Sequence, residues 1–284
     1  MSENKYLKKK TKRDEILEDN IIIGIIRVLI NNKKLRILNC HKMKSEEEIK
    51  NCEIYINDKK IDFSYYYIFP NKGKYRIKYV FNKLLKSTNS MFSNCSTLIS
   101  LDLSKFNSQY LNDVSDMFYG CKSLISLDLS NFKTQNVTHM NSMFSNCQSL
   151  LSLNLSNFNT QNVINMKLMF NNCQSLISLD LSNFNTQNVK YMDSMFYNCQ
   201  LLVSLDLSNF NTQNLMNIKS MFYNCQSLIS LDLSNFNIQN VINVDCMFYS
   251  CISLISLDLS NFNTQEDINS HTMFIDIIHN LIKF

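Results

Sequence analysis

A 26-residue spacing of apolar positions dominates the chain after residue 90. The dipeptide Met-Phe begins at Met91, Met117, Met143, Met169, Met195, Met221, Met247 and Met273. Each full unit reads MFxxCxxLxSLxLSxFxxQ, and seven such units cover residues 91–272 without an insertion. A fixed period of this length is typical of proteins in which each unit buries its apolar side chains against the next.

The first half of each unit has the pattern of a short strand. In one unit Leu127 and Leu129 alternate with Ser126, Asp128 and Ser130. Since side chains alternate between the two faces of a strand, the leucines are expected inside and the polar residues outside. Stacked units would pair these strands in parallel.

The second half of each unit has a different spacing, which predicts a short helical segment. Apolar residues recur there at intervals of three or four, as in Val137, Met140, Met143, Phe144 and Cys147. A strand followed by a helical turn, repeated in register, predicts an α/β leucine-rich-repeat solenoid. The variable pairs before each Met-Phe, such as Lys190-Tyr191, are then expected on the helical, convex side.

The region before the repeats predicts a small N-terminal β domain over residues 20–88. Cys52–Phe63 has the pattern of a hairpin that turns at Asn57-Asp58. Tyr66–Phe69 and Lys74–Phe81 flank a turn in which Gly73 supplies the left-handed position. We expect this domain to cover the open end of the repeats.

The predicted organisation therefore has four parts. Residues 1–19 form a basic arm predicted to be disordered, and 20–88 form the capping domain. The repeats occupy 89–272, and residues 273–284 are expected to form an amphipathic helix that caps the other end.

Charge separates the two halves of the chain, whose net charge is +4. Residues 1–90 contain 21 Lys and Arg against 11 Asp and Glu, whereas residues 91–284 contain 7 against 13. Lys8 to Arg13 resemble a nuclear-localisation or nucleic-acid patch, or a solubilising tail. Because no aromatic stacking platform or recognition helix accompanies them, the sequence disfavours nucleic-acid binding.

The sequence predicts neither catalysis nor a cofactor or metal. His41, His139, His271 and His279 belong to no catalytic motif, and three glycines exclude a Gly-rich phosphate loop. No CxxC pair has the spacing of a zinc site. The carboxylates form one uniform column (residues at 26-residue intervals), whereas acid–base catalysis needs contrasting environments.

Seven cysteines share one column: Cys95, Cys121, Cys147, Cys173, Cys199, Cys225 and Cys251. Neighbouring side chains would point the same way, and seven thiols cannot all pair. We expect buried free thiols, which favour a reducing compartment. Another column, Asn136 to Asn240, has side-chain amides that could bridge adjacent repeats.

One column is a candidate binding face: Asp102, Asp128, Asp180, Asp206, Asp232 and Asp258. Asn154 interrupts it. Carboxylates about 5 Å apart repel one another by roughly 0.8 kcal/mol per neighbour at the dielectric constant of water. The column is therefore either a solvated face or a recognition surface for a basic partner or a divalent cation.

The repeats resemble those of the BspA-like leucine-rich-repeat surface proteins. The resemblance rests on motifs such as Met195-Phe196-Tyr197-Asn198-Cys199 followed by Ser204-Leu205-Asp206-Leu207-Ser208-Asn209-Phe210. It implies a leucine-rich-repeat solenoid and a non-catalytic role in adhesion or protein binding. Members of that family are often exported and anchored.

Three functions follow as hypotheses. The first is an intracellular scaffold that binds protein partners, in the cytoplasm because the chain has no signal peptide, anchor or run of 18 apolar residues. The second is a cell-surface or secreted adhesin of the BspA-like type. The third is a nuclear factor that uses the basic arm. Partner identity and oligomeric state stay open.

Overall fold

The computed structural model describes residues 20–39, 46–262 and 273–274. The strands in this part of the chain are β1 (Ile21–Val28), β2 (Lys33–Arg36), β3 (Glu53–Ile56), β4 (Lys59–Ile61), β5 (Tyr66–Phe69), β6 (Gly73–Val80), β7 (Leu98–Asp102), β8 (Ser126–Asp128), β9 (Ser152–Asn154), β10 (Ser230–Asp232) and β11 (Ser256–Asp258). One short α-helix, α1 (Glu46–Ile49), lies between β2 and β3. The predicted arm at 1–19 and most of the predicted C-terminal cap lie outside the described residues.

Strands β1, β3, β4 and β6 share one sheet with β7 of the first repeat, in the order β4-β3-β6-β1-β7, and β2 pairs antiparallel with β5 in a separate two-stranded sheet. The expected hairpin is confirmed, since β3 pairs antiparallel with β4 around Asn57 and Asp58. Strand β1 pairs antiparallel with β6 on one side and with β7 on the other. Because β7 belongs to the first repeat, backbone hydrogen bonds join the N-terminal strands directly to the repeats.

The repeats stack in register, 26 residues apart. β8 pairs in parallel with β9, and β10 with β11, with Leu127 opposite Leu153 and Leu231 opposite Leu257. A second line of parallel bridges runs through Ser87, Asp113, His139, Asn165, Tyr191, Asn217 and Asn243. The line of bridges therefore joins neighbouring repeats from Ser87 to Asn243, and the β8–β9 and β10–β11 pairs add further backbone hydrogen bonds.

The predicted fold class, an α/β leucine-rich-repeat solenoid with a helical turn in each repeat, is wrong. Within residues 46–262 the only α-helix is α1, which precedes the repeats. The segment predicted to be helical, from Val137 to Cys147, consists of successive turns. The molecule is a set of small antiparallel and parallel sheets connected by turns.

The turns replace the helix because alternate amides bond outside their own repeat. The amides of Met140, Ser142 and Phe144 donate to the carbonyls of Asn165, Lys167 and Met169 in the next repeat, at 3.0, 2.8 and 2.9 Å. A helix would need those donors for its own i−4 carbonyls. Ser142 and Asn146 also have φ of 55° and 62°, which a right-handed helix cannot contain.

The core is a series of identical side chains stacked along the molecule. Phe144, Phe170 and Phe196 are fully buried, and their ring centroids lie 5.7 Å apart with nearly parallel planes. The Met column beside them is also buried. Each repeat thus buries its apolar residues against the same residues of its neighbours. No described helix is long and apolar enough to cross a membrane.

Candidate functional site: the strand face

The outer surface formed by the β8 to β11 region has two parallel columns of exposed side chains, which we call the strand face. Its acidic column contains the predicted residues Asp102, Asp128, Asp180, Asp206, Asp232 and Asp258, all exposed. Its aliphatic column contains Ile125, Leu151, Ile177, Val203, Ile229 and Ile255. The prediction that the aspartates face outward is confirmed, whereas the aliphatic column was not predicted.

The aliphatic side chains are well exposed, from 38% at Val203 to 77% at Ile255. Sequence reasoning missed them because the LxxLxL pattern assigns no role to the position after its first leucine. The available signal was that this variable position contains only Ile, Leu or Val in every full unit. A solvent-facing strand position would accept polar residues equally well.

Backbone hydrogen bonds hold the aliphatic column together. The Leu151 amide donates to the Ile125 carbonyl at 2.8 Å, and the Ile255 amide donates to the Ile229 carbonyl at 2.9 Å. The Val203 amide donates to the Ile177 carbonyl at 3.1 Å, although no strand is assigned in that repeat. These bonds fix exposed aliphatic residues of adjacent repeats beside each other on both sides of the junction between Leu151 and Ile177.

Each aspartate of the acidic column closes the turn that follows it. One carboxylate oxygen accepts a hydrogen bond from the amide two residues later, as from Ser182 to Asp180 at 2.9 Å. The same bond occurs at Asp102, Asp128, Asp206, Asp232 and Asp258, at 2.8–2.9 Å. Asn154 makes it with its amide oxygen, at 3.1 Å. This role explains why Asn can interrupt the column.

These hydrogen bonds stabilise the ionised carboxylates. The backbone amide and side chain of Ser182 lower the pKa of Asp180, and Ser208 lowers the pKa of Asp206 in the same way. Neighbouring Asp180 and Asp232 raise the pKa of Asp206 by a smaller effect. The strand face is therefore negatively charged at neutral pH.

The structure gives the divalent-cation interpretation no support. Within the described ranges no three His, Cys, Asp or Glu side chains are grouped so that they could hold a metal ion. One oxygen of each aspartate is already occupied by its turn. The acidic column is thus arranged as a line of separate charges rather than as a coordination site.

The cysteine column lies inside the repeats. Cys147, Cys173 and Cys199 are fully buried, and their thiols donate to the carbonyls of Phe118, Phe144 and Phe170 at 3.1–3.2 Å. Burial raises the pKa of Cys147 and of Cys199 to about 12. The seven thiols of the cysteine column are free. The expectation of buried free thiols is confirmed for the column, whereas Cys246 is half-buried.

Asparagine side chains connect the repeats, as predicted. The Nδ2 of Asn162 donates to the Gln135 carbonyl at 2.8 Å, and that of Asn188 donates to the Gln161 carbonyl at 2.7 Å. A further column was not predicted: Nδ2 of Asn183 lies 2.9–3.1 Å from the carbonyls of Leu155, Ser156 and Phe158. These amides satisfy carbonyls at the turns.

The variable pairs lie along the second line of bridges, away from any helix. The prediction of a helical location for them is wrong, since Tyr191 and Asn217 form parallel bridges. An open groove of about 380 Å³ beside them is lined by Asn136, Thr138, Asn162, Ile164, Asn188 and Lys190. Its lining changes from repeat to repeat at Thr138, Ile164 and Lys190, unlike the uniform strand face.

Comparison with family models gives two overlapping matches, to residues 86–201 and 176–280. Both are to the same family, described as a Mycoplasma protein of unknown function, DUF285. Comparisons with curated proteins and with solved structures give no match. The two family matches lie on the repeats and together cover more than half of the 284 residues. They are consistent with a BspA-like repeat protein, and the chain belongs to the DUF285 family.

Proposed function

We propose that this protein is a non-catalytic repeat protein that binds another protein on its strand face. The observation behind this proposal is the exposed aliphatic column, which precedes the acidic column by three residues in each repeat. Single exposed apolar residues are ordinary, but a continuous row of them is typical of an interaction surface. With strands about 4.8 Å apart, the six residues extend over about 24 Å.

The proposed partner combines apolar and basic side chains. The aliphatic column supplies an apolar strip, and the carboxylates beside it supply a charged border, which is the usual arrangement of a protein interface. Because every aspartate accepts an amide hydrogen bond, the carboxylates have fixed positions. A partner with lysines or arginines at a matching spacing would pair with them.

A non-catalytic role agrees with the chemistry of the buried thiols. A cysteine acts as a nucleophile only as the thiolate. Burial raises the pKa of Cys199 to about 12, so that this thiol stays protonated at neutral pH. The column of cysteines then contributes packing rather than reactivity.

The test compares two triple variants as baits in lysate of the source cells. Ile177→Ser/Val203→Ser/Ile229→Ser changes the aliphatic column, and Tyr191→Ser/Met216→Ser/Ile242→Ser is the control on the bridge line. We expect wild type and the control to retain one common protein, and the strand-face variant to retain about tenfold less of it. Equal retention by the strand-face variant, with an unchanged melting temperature, would overturn the proposal.

A second arm tests the acidic column on the same partner. Asp180→Asn/Asp206→Asn/Asp232→Asn keeps each turn hydrogen bond, as Asn154 does, and removes three charges. We expect weaker binding and a weaker dependence on salt, because exposed charges are screened at high ionic strength. An unchanged affinity would show that the partner does not use these carboxylates.

We further propose that the protein acts inside the cell, which the buried free thiols of the cysteine column support. Mild trypsin treatment of intact source cells tests this through peptides that end at Lys190 and Lys219, both exposed. We expect these peptides only after lysis. Their release from intact cells, with a cytosolic marker retained, would favour the adhesin hypothesis instead.

A further inference from the structure

One end of the N-terminal strands exposes large aliphatic side chains. Leu29 and Ile30 follow β1 and are 74% and 63% exposed, and Ile68 in β5 is 58% exposed. Half of the exposed large apolar residues in the described repeats lie in the aliphatic column, whereas these three belong to the N-terminal region. They do not belong to the strand face, and the proposed function does not use them.

Two turns at this end are tied to each other. The Asn32 amide donates to the Pro70 carbonyl at 3.2 Å, and the Lys72 amide donates to Oδ1 of Asn31 at 2.7 Å. The segments 29–32 and 70–73 therefore form one hydrogen-bonded pair of turns, with Leu29 and Ile30 on the first segment and Lys72 on the second. We call these two turns and the adjoining β2–β5 pair the basic tip.

Basic side chains surround these aliphatic residues. Lys34 is the cross-strand neighbour of Ile68, and Lys33 precedes it in β2. Lys74 is paired with Arg27 where β6 meets β1. The four basic side chains, which are Arg27, Lys33, Lys34 and Lys74, are all exposed.

The segments of the chain that form the tip contain no acidic residues. No Asp or Glu occurs between residues 20 and 45 or between residues 63 and 101. In the neighbouring five-stranded sheet, Arg76 of β6 pairs with Asp58 of the β3–β4 turn. The positive charge of Lys33, Lys34 and Lys72 is therefore not neutralised by carboxylates from the strands that form the tip.

An aromatic ring adds to the same surface. Tyr66 is 38% exposed, and the guanidinium of Arg36 lies over its ring, 4.6 Å from the centroid. Lys34 approaches the same ring, with its Nζ 5.3 Å from the centroid. A tyrosine beside cations and exposed aliphatic side chains is typical of the boundary between lipid and water.

From these observations we propose that the basic tip docks on an anionic lipid surface. The aliphatic side chains would enter the boundary of the acyl chains. The hydrocarbon stems of the lysines would lie along this apolar layer, and their ammonium groups would contact the anionic headgroups. A protruding Leu-Ile pair fits a fluid surface, whereas a folded partner would need a pocket shaped to receive it. The lysines supply the charge complementarity that selects anionic over neutral lipid.

The test uses the full chain and vesicle co-sedimentation. One set of vesicles is phosphatidylcholine alone, and the other is phosphatidylcholine mixed with phosphatidylserine. We expect wild type to sediment with the anionic vesicles and to remain in solution with the neutral ones. Sedimentation with neither set, or equally with both, would overturn the proposal.

Two variants locate the contact. Lys33→Gln/Lys34→Gln should lower binding to anionic vesicles by about 30-fold, at roughly fivefold per lysine. Leu29→Ser/Ile30→Ser should lower it by about tenfold or more. Both retain Lys8 to Arg13, so that attraction by the basic arm is the same in every sample.

Controls match these changes elsewhere in the chain. Ile242→Ser removes a side chain that is 71% exposed in the repeats, and Lys122→Gln removes an exposed lysine. We expect both to bind as wild type does. If the controls weaken binding as much as the tip variants, or if the tip variants bind fully, the proposal is wrong.

A last arm separates lipid from acidic protein. Poly-glutamate is added to wild type with anionic vesicles at one ionic strength. Vesicle binding that persists in the presence of poly-glutamate supports a lipid surface, since the aliphatic contacts exist only there. Displacement from the vesicles at stoichiometric poly-glutamate would overturn the proposal in favour of an acidic polypeptide.

Discussion

The amide of Ser208 donates a hydrogen bond to Oδ1 of Asp206 at 2.9 Å, and this pair recurs through the repeats. Because the bond favours the ionised carboxylate, it lowers the pKa of Asp206 in the folded protein. The stability that it contributes is present above the pKa of the unfolded carboxyl, about 3.9, and is lost as the pH falls through the lower folded value.

Acid should therefore weaken the repeats through these carboxylates. We predict that, between neutral pH and about pH 3, the melting temperature of the variant Asp180→Asn/Asp206→Asn/Asp232→Asn falls less than that of wild type. Thermal melts followed by circular dichroism at several pH values measure this. Asp62→Asn, at an exposed position of the N-terminal region, serves as the control. Identical pH profiles for wild type and the triple variant would contradict the prediction.

Truncation of one stacked phenylalanine should destabilise the molecule strongly. Phe170 is fully buried, with Phe144 and Phe196 stacked on its two sides at 5.7 Å. Phe170→Ala should lower the free energy of unfolding by about 3–5 kcal/mol, because it leaves a cavity between two repeats. Denaturant titration provides the measurement, with Tyr191→Ala as an exposed aromatic control. A loss as small as that of the control would be inconsistent with the stack.

Thiol reactivity should distinguish Cys246 from the cysteine column. Cys246 is half-buried, whereas Cys199 is fully buried with its pKa raised to about 12 by burial. We predict that maleimide modifies Cys246 in the native protein at about pH 8 and reaches Cys199 only in denaturant. Peptide mass spectrometry identifies the modified sites, and Cys246→Ser removes the fast signal. Equal labelling of Cys199 and Cys246 would refute this assignment.

The asparagine that bonds three carbonyls should tolerate neither Ala nor Asp. Asn183→Ala removes the donor shared by Leu155, Ser156 and Phe158, at an expected cost of about 1–3 kcal/mol. Asn183→Asp should cost more, because a carboxylate would face carbonyl oxygens. The same substitutions at Asn131, the equivalent position two repeats earlier, are the controls. Chemical denaturation measures the stability of the four variants. If Asn183→Asp were as stable as wild type, this would argue against the hydrogen bonds to the three carbonyls.

The sequence predicted the stacking of the repeats but not the conformation inside them. The 26-residue period places every residue beside its equivalent, and this alone predicts the Phe stack and the buried Cys column. The 3–4 spacing between Met140 and Cys147 is ambiguous, because successive turns bring apolar side chains inward at the same intervals as a helix. Whether a backbone amide donates within its own repeat or to the next one depends on how the repeats pack on each other, which the apolar spacing does not specify.

Part of the turn conformation was nevertheless encoded. Asn94, Asn146 and Asn172 occupy one column with Gly120, and all four have positive φ. Asn and Gly are the residues that best accept this conformation, so the column indicated a turn. The preceding left-handed position, with Ser142 and Leu168, carries no such preference and could not be predicted.

Of the two columns of the candidate site, the sequence predicted the acidic column but not the aliphatic column. The outward direction of the aspartates follows from strand alternation, but their role in closing turns depends on the chain reversal after Leu181 and its equivalents. The aliphatic column depends on Ile177 and its equivalents remaining outside a strand pattern that buries Leu176 and Leu179. That placement results from the turn before each strand, which apolar spacing does not specify.

The hydrogen bonds between adjacent repeats also constrain how this gene can change. The Asn188 side-chain amide reaches 27 residues back to the Gln161 carbonyl, and the Phe170 backbone amide reaches 25 residues forward to the Met195 carbonyl, so that each bond depends on the length of the repeat. An insertion of a single codon in one repeat would move its donors and acceptors out of line with those of the adjacent repeat. Duplication or loss of a whole repeat, in contrast, keeps each hydrogen bond between adjacent repeats. Related genes should therefore differ in length by multiples of 26 codons, so that recombination between identical units can lengthen or shorten the binding surface without redesigning it.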